Sequence, residues 1–393
     1  MSHRQPLNLL PEAEQQLRLD RMRRLMADAS LPAILVTDLA NIYYITGRVY
    51  TGYIYLPSEG KPIYFVRRPV ELEGDGVVYI RKPEQMTESI GLNLPEAVGL
   101  ELDLLPYNSA MRLSSALGGI ATPNASPVLR AARAVKTAME QDALRMSGVK
   151  QEHVYRLIPK LYREGMRDIE LQVEIERALR LEGCLGQFRI SGDSMELYMA
   201  NILTGRNADN PTPYDFAMGG AGLDPSLPVG ADGEIIKDHT TVMVDANGNF
   251  TGYMTDMTRT FSLGTIEELA VKAHDTSVAI CRAIAEAARP GAEAKSLWKI
   301  AETMAADAGL AEYFMGHTQK AGFVGHGVGI EINELPVIAP RSRDIIAEGN
   351  VIAVEPKFVI PKVGAVGIEN TYIVGHDSTE CITRAPESLT PLV

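Results

Sequence analysis

Cysteine is scarce in this sequence. Only three cysteines, Cys184, Cys281 and Cys381, occur in 393 residues, and they lie about a hundred residues apart. This spacing excludes a scaffold held by disulfides and a structural zinc site built from paired thiolates, because both need closely grouped cysteines. We therefore expect a reducing environment and predict a cytoplasmic location.

Positive charge and long apolar runs are also lacking. The 38 basic residues are outnumbered by 50 acidic residues, which gives a net charge of -12. Nucleic acids and anionic membrane surfaces attract basic proteins, so we expect neither as a partner. There is no stretch of about 18 apolar residues, which argues against a membrane span. The opening segment MSHRQPLNLLPEAEQQ lacks an apolar core, so we expect no signal peptide.

The length and composition are typical of a globular protein with two domains. A chain of 393 residues, of which 46% are hydrophobic, is too long for one ordinary core. Helical and strand-like segments alternate over the first third, which predicts an α/β unit with a parallel or mixed sheet. The stretch 118–129 is rich in Gly, Pro and Ser and marks a candidate boundary. We predict domains at 1–132 and 133–393.

The strongest local signal is an acidic pair in TVMVDANGNFTGYMTDMTRTFSLG, residues 241–264. Each of the two strand-like runs carries one aspartate, Asp245 or Asp256. A turn at Asn247-Gly248 would keep the aspartates apart, whereas a turn centred on Phe250-Thr251 would set them opposite each other. Two facing carboxylates repel unless a cation or a shared proton lies between them. The alternative is a pair of surface aspartates that flank a loop.

Three further candidates follow along the chain. His326 lies between glycines in GFVGHGVGIEINELP, Glu355 ends an apolar run, and Glu369 lies inside another. A buried glutamate is costly unless it is paired or bound to metal, so a salt bridge to arginine is the alternative for each glutamate. A lone histidine is more often structural than a ligand. Together the five form an oxygen-rich set with one nitrogen, which suits Mn, Co, Fe or Zn.

These motifs resemble the pita-bread metallopeptidase family, which includes aminopeptidase P, prolidase and creatinase. The similar text is VMVDANGNFTGYMTDMTRTF, GHGVGIEINELP, VIAVEPKFVIP and GIENTYIV, in the family's order. RMRRLMADASLPAILVTDLANIYYITG is similar to the opening of the creatinase/prolidase N-terminal domain, so the resemblance covers nearly the whole chain. It implies an α+β protein with a C-terminal pita-bread fold and an N-terminal α/β creatinase-like domain.

The resemblance also implies a dinuclear centre and a homodimer. Asp245 would chelate one divalent ion, His326 with Glu355 would hold the other, and Asp256 with Glu369 would bridge both. The bridging water would attack a carbonyl as hydroxide, and Glu355 would carry the proton to the leaving nitrogen. The implied reaction is that of an Xaa-Pro aminopeptidase or dipeptidase.

The sequence departs from the family pattern at two positions. Proline-directed members carry a histidine upstream of the first aspartate, where this chain has Leu227 or a neighbour, and His239 lies too close to Asp245 to match it. A second histidine belongs seven positions after His326, where this chain has Asn333. Asn333 can donate a hydrogen bond to the substrate carbonyl but cannot carry a proton. Other side chains could act as substitutes: Tyr214, Asn201 or His317.

Three functions remain open at this point. The intact ligand set favours a metal-dependent exopeptidase that acts on short peptides. The two missing histidines favour hydrolysis of a non-peptide C–N bond in a small amide, as in creatinase. The third possibility is a catalytically silent module that binds a peptide or protein.

Overall fold

The computed structural model describes residues 4–91, 94–190, 198–215 and 219–392. The chain divides into two compact units, residues 1–133 and 134–393. The boundary predicted after residue 132 lies within a helix, Ser126–Ala134. No helix among the described residues is both long and apolar enough to cross a bilayer.

The first unit is built around a mixed five-stranded sheet. Its helices are α1 (Glu12–Asp28), α2 (Leu39–Thr46), α3 (Met86–Ile90), α4 (Tyr107–Ala116) and α5 (Ser126–Ala134). Its strands are β1 (Gln5–Pro6), β2 (Ala33–Val36), β3 (Thr51–Pro57), β4 (Ile63–Arg68), β5 (Leu72–Glu73), β6 (Val77–Tyr79) and β7 (Gly99–Leu100). The strand order is β6-β4-β3-β2-β7, and parallel and antiparallel pairs both occur. The predicted mixed α/β sheet is therefore present.

The described residues of the second unit form five α-helices, two larger sheets and a hairpin. The helices are α6 (Ala138–Tyr155), α7 (Ile158–Leu161), α8 (Asp168–Leu181), α9 (Glu268–Ala287) and α10 (Ala294–Asp307). The strands are β8 (Ala200–Thr204), β9 (Thr240–Asn249), β10 (Met254–Leu263), β11 (Gly325–Gly327), β12 (Glu334–Ile338), β13 (Val351–Val354), β14 (Lys357–Ile360), β15 (Gly364–Gly367), β16 (Asn370–Val374), β17 (Thr379–Cys381) and β18 (Thr390–Pro391).

The sheets of the second unit bring distant segments together. One has the order β18-β10-β9-β8, another has the order β12-β11-β13-β16-β17, and β14 pairs with β15. Apolar side chains of α9 and α10 pack against strands β13 to β16 and form a large buried core. Burial of this apolar surface fixes strands β13 and β16, to which two of the five candidate residues, Glu355 and Glu369, are adjacent.

The hairpin β9–β10 has a different register from the predicted one. Asp245 pairs with Thr258, and Asp256 pairs with Asn247, so the two aspartates are not directly opposed. The loop is residues 250–253, because Gly252 takes a positive φ of 86° and its N–H donates to the Asn249 side chain. The aspartates are therefore diagonal neighbours on one face, a relation that spans about 7–8 Å.

Candidate metal centre

One face of the sheet β8–β9–β10 carries the polar side chains of the site. Asn201 on β8 pairs with Asp245 on β9, and Asp245 in turn pairs with Thr258 on β10. Asn247 and Asp256 form the next pair on this face, because side chains alternate between faces along a strand. The alternation of each strand thus directs both aspartates to the same side.

His326 lies on the short strand β11 between two other strands. A Cβ at Gly325 would lie 2.4 Å from the Ala353 oxygen, and one at Gly327 would lie 2.2 Å from the Leu335 oxygen. The flanking glycines are therefore required by the close approach of neighbouring backbone. The ring nitrogen Nδ1 lies 3.0 Å from the Gly327 oxygen and donates to it, since a carbonyl only accepts. Nε2 then faces Glu355 Oε1 at 3.3 Å.

Glu355 and Glu369 lie at the ends of adjacent strands. Glu355 follows β13, and its backbone N–H donates to the Val324 oxygen at 2.9 Å. Glu369 precedes β16 and forms an isolated bridge with Thr258. The Thr258 hydroxyl also donates to Glu369 Oε2 at 2.8 Å. A backbone hydrogen bond thus fixes the position of Glu355, and contacts with Thr258 fix that of Glu369.

The five predicted residues converge. Ligand atoms of Asp256, His326 and Glu369 lie within 4.8 Å of one another, and so do those of Asp245, Glu355 and Glu369. Glu369 belongs to both groups, as a bridging ligand would. Both glutamates are buried, and the two aspartates are half-buried, so neither aspartate is a fully exposed surface residue.

Lys357 was missed by the sequence analysis. Its ammonium Nζ lies 2.8 Å from Asp245 Oδ2, 2.8 Å from Glu355 Oε2 and 3.4 Å from Glu369 Oε2. The side chain is 0% exposed. A salt bridge was anticipated as the alternative for the glutamates, but with arginine as the partner. The signal that could have revealed the lysine is a charge at the start of the apolar run KFVI, every residue of which is buried.

The carboxylates of the cluster have different pKa values, because burial and neighbouring charges affect each one differently. Burial, with the neighbouring Glu355 carboxylate, raises the pKa of Glu369 to about 8. Burial and the Glu369 carboxylate raise the pKa of Asp256 well above its ordinary value. Burial also opposes ionisation of Glu355, but the cationic neighbours Lys357 and His326 outweigh it and lower the Glu355 pKa to about 2. Glu355 is therefore ionised at neutral pH.

Neighbouring carboxylates raise the pKa of both basic groups. Burial disfavours a charged lysine, yet the carboxylates of Asp245, Glu355 and Glu369 raise the pKa of Lys357 well above its ordinary value. Burial likewise opposes the imidazolium form of His326, but the hydrogen bond and charge of Glu355 give a net increase in its pKa. Lys357 therefore carries a full positive charge beside three carboxylates.

The two groups differ in how well they fit a divalent ion. Asp256, His326 and Glu369 offer two carboxylates and one imidazole, a donor set suited to a transition metal. Glu369 Oε1 is buried and has no hydrogen-bond partner among the described residues, which leaves this oxygen for a ligand bond. In the second group, Lys357 Nζ already contacts Asp245, Glu355 and Glu369. One ion fits the observed arrangement, and a second does not fit beside the ammonium.

A cavity of about 270 Å³ opens onto the cluster. Asp245, Asp256, His326 and Glu355 form its polar wall, and Asn333 also lines it. The remaining wall is mainly apolar and includes Phe188, Ile190, Tyr198, Phe323, Ile332 and Val337. A cavity of this size takes a small molecule or a dipeptide.

Only some of the side chains that the sequence suggests as substitutes for the two expected histidines line this cavity. Asn201 lines it together with Asn333, whereas Tyr214, Leu227 and His317 are not among its described lining residues. His317 Nδ1 instead lies 2.9 Å from Asp209 Oδ2. Among the described lining residues, Asn201, Asn247 and Asn333 are therefore the amide side chains available to a bound substrate.

Comparison with known proteins shows the relationships of both units. Residues 142–376 match the model of metallopeptidase family M24, and residues 18–135 match that of the creatinase/prolidase N-terminal domain. A protein named Xaa-Pro dipeptidase from Pyrococcus horikoshii is 25% identical over 366 residues, which span 92% of this chain and 95% of that protein.

Solved structures show the same fold. A structure described as Xaa-Pro dipeptidase from Bacillus anthracis gives a TM-score of 0.80 at 21% identity and covers 96% of this chain and 99% of its own. The N-terminal domain of the FACT complex subunit SPT16 from chickpea gives a TM-score of 0.69 at 15% identity, with 96% and 98% covered. The fold is therefore shared by peptidases and by a subunit of a larger complex.

The predicted α+β architecture, with a creatinase-like N-terminal domain and a pita-bread C-terminal domain, is thus confirmed. The chain belongs to metallopeptidase family M24.

Proposed function

We propose that this protein hydrolyses a C–N bond in a short peptide, with Xaa-Pro dipeptides as the first candidate substrates. The observation that carries the proposal is the convergence of five side chains, four of which line a small, mainly apolar cavity: Asp245, Asp256, His326 and Glu355 in the cavity wall, and Glu369 behind them. The names of the relatives support the choice of dipeptides.

The proposed metal ligands are the five converging residues, and Mn, Co, Zn or Fe suits them. A divalent ion bound there supplies Lewis acidity toward a carbonyl and makes water a better nucleophile at neutral pH. The two-ion centre with a bridging hydroxide is the alternative arrangement, and it requires Lys357 to leave Asp245, Glu355 and Glu369.

Two residues are proposed to act on the substrate. Glu355 is ionised and lies in the cavity wall, so it can accept a proton from water and return it to the leaving nitrogen. Asn333 lines the same cavity and is proposed to donate its side-chain N–H to the substrate carbonyl, where the developing negative charge needs a donor. The apolar wall excludes bulk water and packs against the substrate's side chain or ring.

The test is cleavage of a panel of Xaa-Pro dipeptides by the purified protein with added Mn²⁺. We expect Glu355→Gln to abolish cleavage, because glutamine cannot take a proton. Asn333→Ala should lower kcat by about 10²–10³, the usual cost of one lost oxyanion donor. Glu348→Gln is the control, because Glu348 is exposed and close in sequence. Absence of cleavage of every peptide at every metal loading refutes the peptidase proposal.

A second candidate is hydrolysis of a non-peptide C–N bond in a small amide. It is favoured by Lys357, which neutralises part of the carboxylate cluster without metal, and by Asn333 at a position where proline-directed relatives carry histidine. Small cyclic amides and ureido compounds belong in the same panel. Turnover of these compounds without turnover of peptides selects this candidate, and turnover of neither selects a silent binding module.

The domain limits 1–132 and 133–393, the homodimer and the cytoplasmic location remain proposals. Light scattering after gel filtration measures the oligomeric state, and a mass close to 42.8 kDa, that of one chain, refutes the dimer. Cys184, Cys281 and Cys381 are free thiols, a state compatible with a reducing compartment.

A further inference from the structure

Lys357 is the cation closest to the centre of the carboxylate cluster. It begins β14, whose four residues are all buried. Its backbone is fixed on both sides, since its carbonyl accepts from the Met315 N–H at 2.8 Å and its partner on β15 is Gly367. The side chain therefore enters the cluster from a rigid strand and does not reach it from a surface loop.

The acceptors of Lys357 coincide with one of the two potential metal groups. Asp245, Glu355 and Glu369 together could hold an ion, and the same three residues contact Nζ at 2.8, 2.8 and 3.4 Å. An ion bound to those oxygens would have to occupy the space of the ammonium or lie beside it. Two cations at such separation repel strongly in a buried site, because screening by water is weak.

The other group keeps its capacity for a ligand. Asp256, His326 and Glu369 have no lysine or arginine among their described ion-pair partners apart from the shared contact at Glu369 Oε2. Glu369 Oε1, the second oxygen of that carboxylate, is buried and has no hydrogen-bond partner among the described residues. The cluster is therefore asymmetric, with one cation position filled by the protein and one available.

We propose that the ammonium of Lys357 takes the place of one of the two divalent ions, so that the wild-type centre binds no more than one ion. This inference rests on the proposed function only for the identity of the ligand set. Its consequence is a centre in which an internal, permanently bound cation orients Asp245 and Glu355, while any exchangeable ion is held by Asp256, His326 and Glu369.

The test counts bound Mn²⁺ per chain by calorimetric titration and by elemental analysis after dialysis. Lys357→Met removes the ammonium and keeps an apolar stem of similar length. Lys136→Met is the matched control, because Lys136 is also 0% exposed and is paired 2.9 Å from Glu334. We expect no more than one Mn²⁺ in wild type and in Lys136→Met, and one additional Mn²⁺ in Lys357→Met. Two ions in wild type, or no gain in Lys357→Met, overturns the proposal.

Thermal unfolding provides a second readout on the same proteins. EDTA should lower the Tm of Lys357→Met more than that of wild type, since three carboxylates then face one another without a cation, and Mn²⁺ should restore it. An equal response of both proteins contradicts the proposal. If Lys357→Met folds poorly, Lys357→Gln replaces it, and the wild-type titration is decisive in either case. Metal content is measured without substrate, so this inference can fail while the cleavage assay succeeds.

Discussion

Replacing Gly327 by alanine should displace His326 and destabilise the second unit. The new Cβ would lie 2.2 Å from the Leu335 oxygen and 2.5 Å from the Leu335 carbonyl carbon. Both atoms belong to the backbone of the neighbouring strand, so no side-chain rotation relieves the overlap. Ordinary contact begins near 3.4 Å, and strands β11 and β12 must therefore separate by about 1.2 Å at this point.

The magnitude follows from that displacement. Overpacking of a well-packed interior costs about 1–3 kcal/mol, and we expect the upper end because backbone must move. For a unit of this size, the loss corresponds to a decrease in Tm of about 6–12 °C. A misplacement of about 1 Å next to the reacting groups should also lower kcat by about 10².

The assay compares urea unfolding and cleavage of the best substrate in wild type, Gly327→Ala and Gly322→Ala. Gly322 is the control, since it precedes the same strand and its added Cβ would be 3.7 Å from the nearest atom, a carboxylate oxygen of Asp215. Gly322→Ala should stay within about 0.5 kcal/mol of wild type. Equal effects of the two substitutions would refute the argument that backbone proximity dictates the glycine.

Two further predictions concern buried charges. Arg259→Met should destabilise the protein by about 3–5 kcal/mol in urea unfolding. The reason is that the guanidinium donates to the backbone oxygens of Thr258 and Glu369 at 2.7 and 2.8 Å. An effect no larger than that of Arg384→Met, at an exposed arginine, contradicts this prediction. Burial raises the pKa of Asp168 to about 6, so the protonated acid is favoured in the fold. Its stabilising contribution, full below pH 4, is lost as pH rises through about 6. Measured at pH 5 and 7.5, wild type should lose stability relative to Asp168→Asn as pH rises, and the opposite trend would contradict the assignment.

The sequence was sufficient for the identity of the candidate ligands and for the family. Asp245, Asp256, His326, Glu355 and Glu369 stand in short motifs whose order and spacing are readable along the chain. A divalent metal ion needs carboxylate and imidazole ligands, and these residue types can be recognised directly in the sequence. The strand-like runs that carry these residues were likewise visible as apolar segments, because a buried strand must be apolar.

The register of the β9–β10 hairpin could not be predicted from the sequence. The observed loop is centred one residue after the Phe250-Thr251 turn and four residues after the Asn247-Gly248 turn. In this loop Gly252 has positive φ, and the Asn249 side chain accepts a hydrogen bond from the Gly252 N–H. Moving the turn by one residue shifts the pairing of the two strands by two residues. Each side chain then has a different cross-strand partner but stays on the same side of the sheet, because side chains alternate with a period of two. Both aspartates consequently reach the site, but as diagonal neighbours.

The sequence by itself determined which groups are available for chemistry, and the tertiary structure decided how their charges are balanced. Lys357 is separated from Asp245 by 112 positions in the chain. Only the packing of the β14–β15 hairpin, through β15, against β9 brings its ammonium to the carboxylates. The strength of an electrostatic interaction depends on the distance between the charges in space, whereas a sequence motif shows only their separation along the chain. For that reason the candidate ligands could be named from the sequence and Lys357 could not.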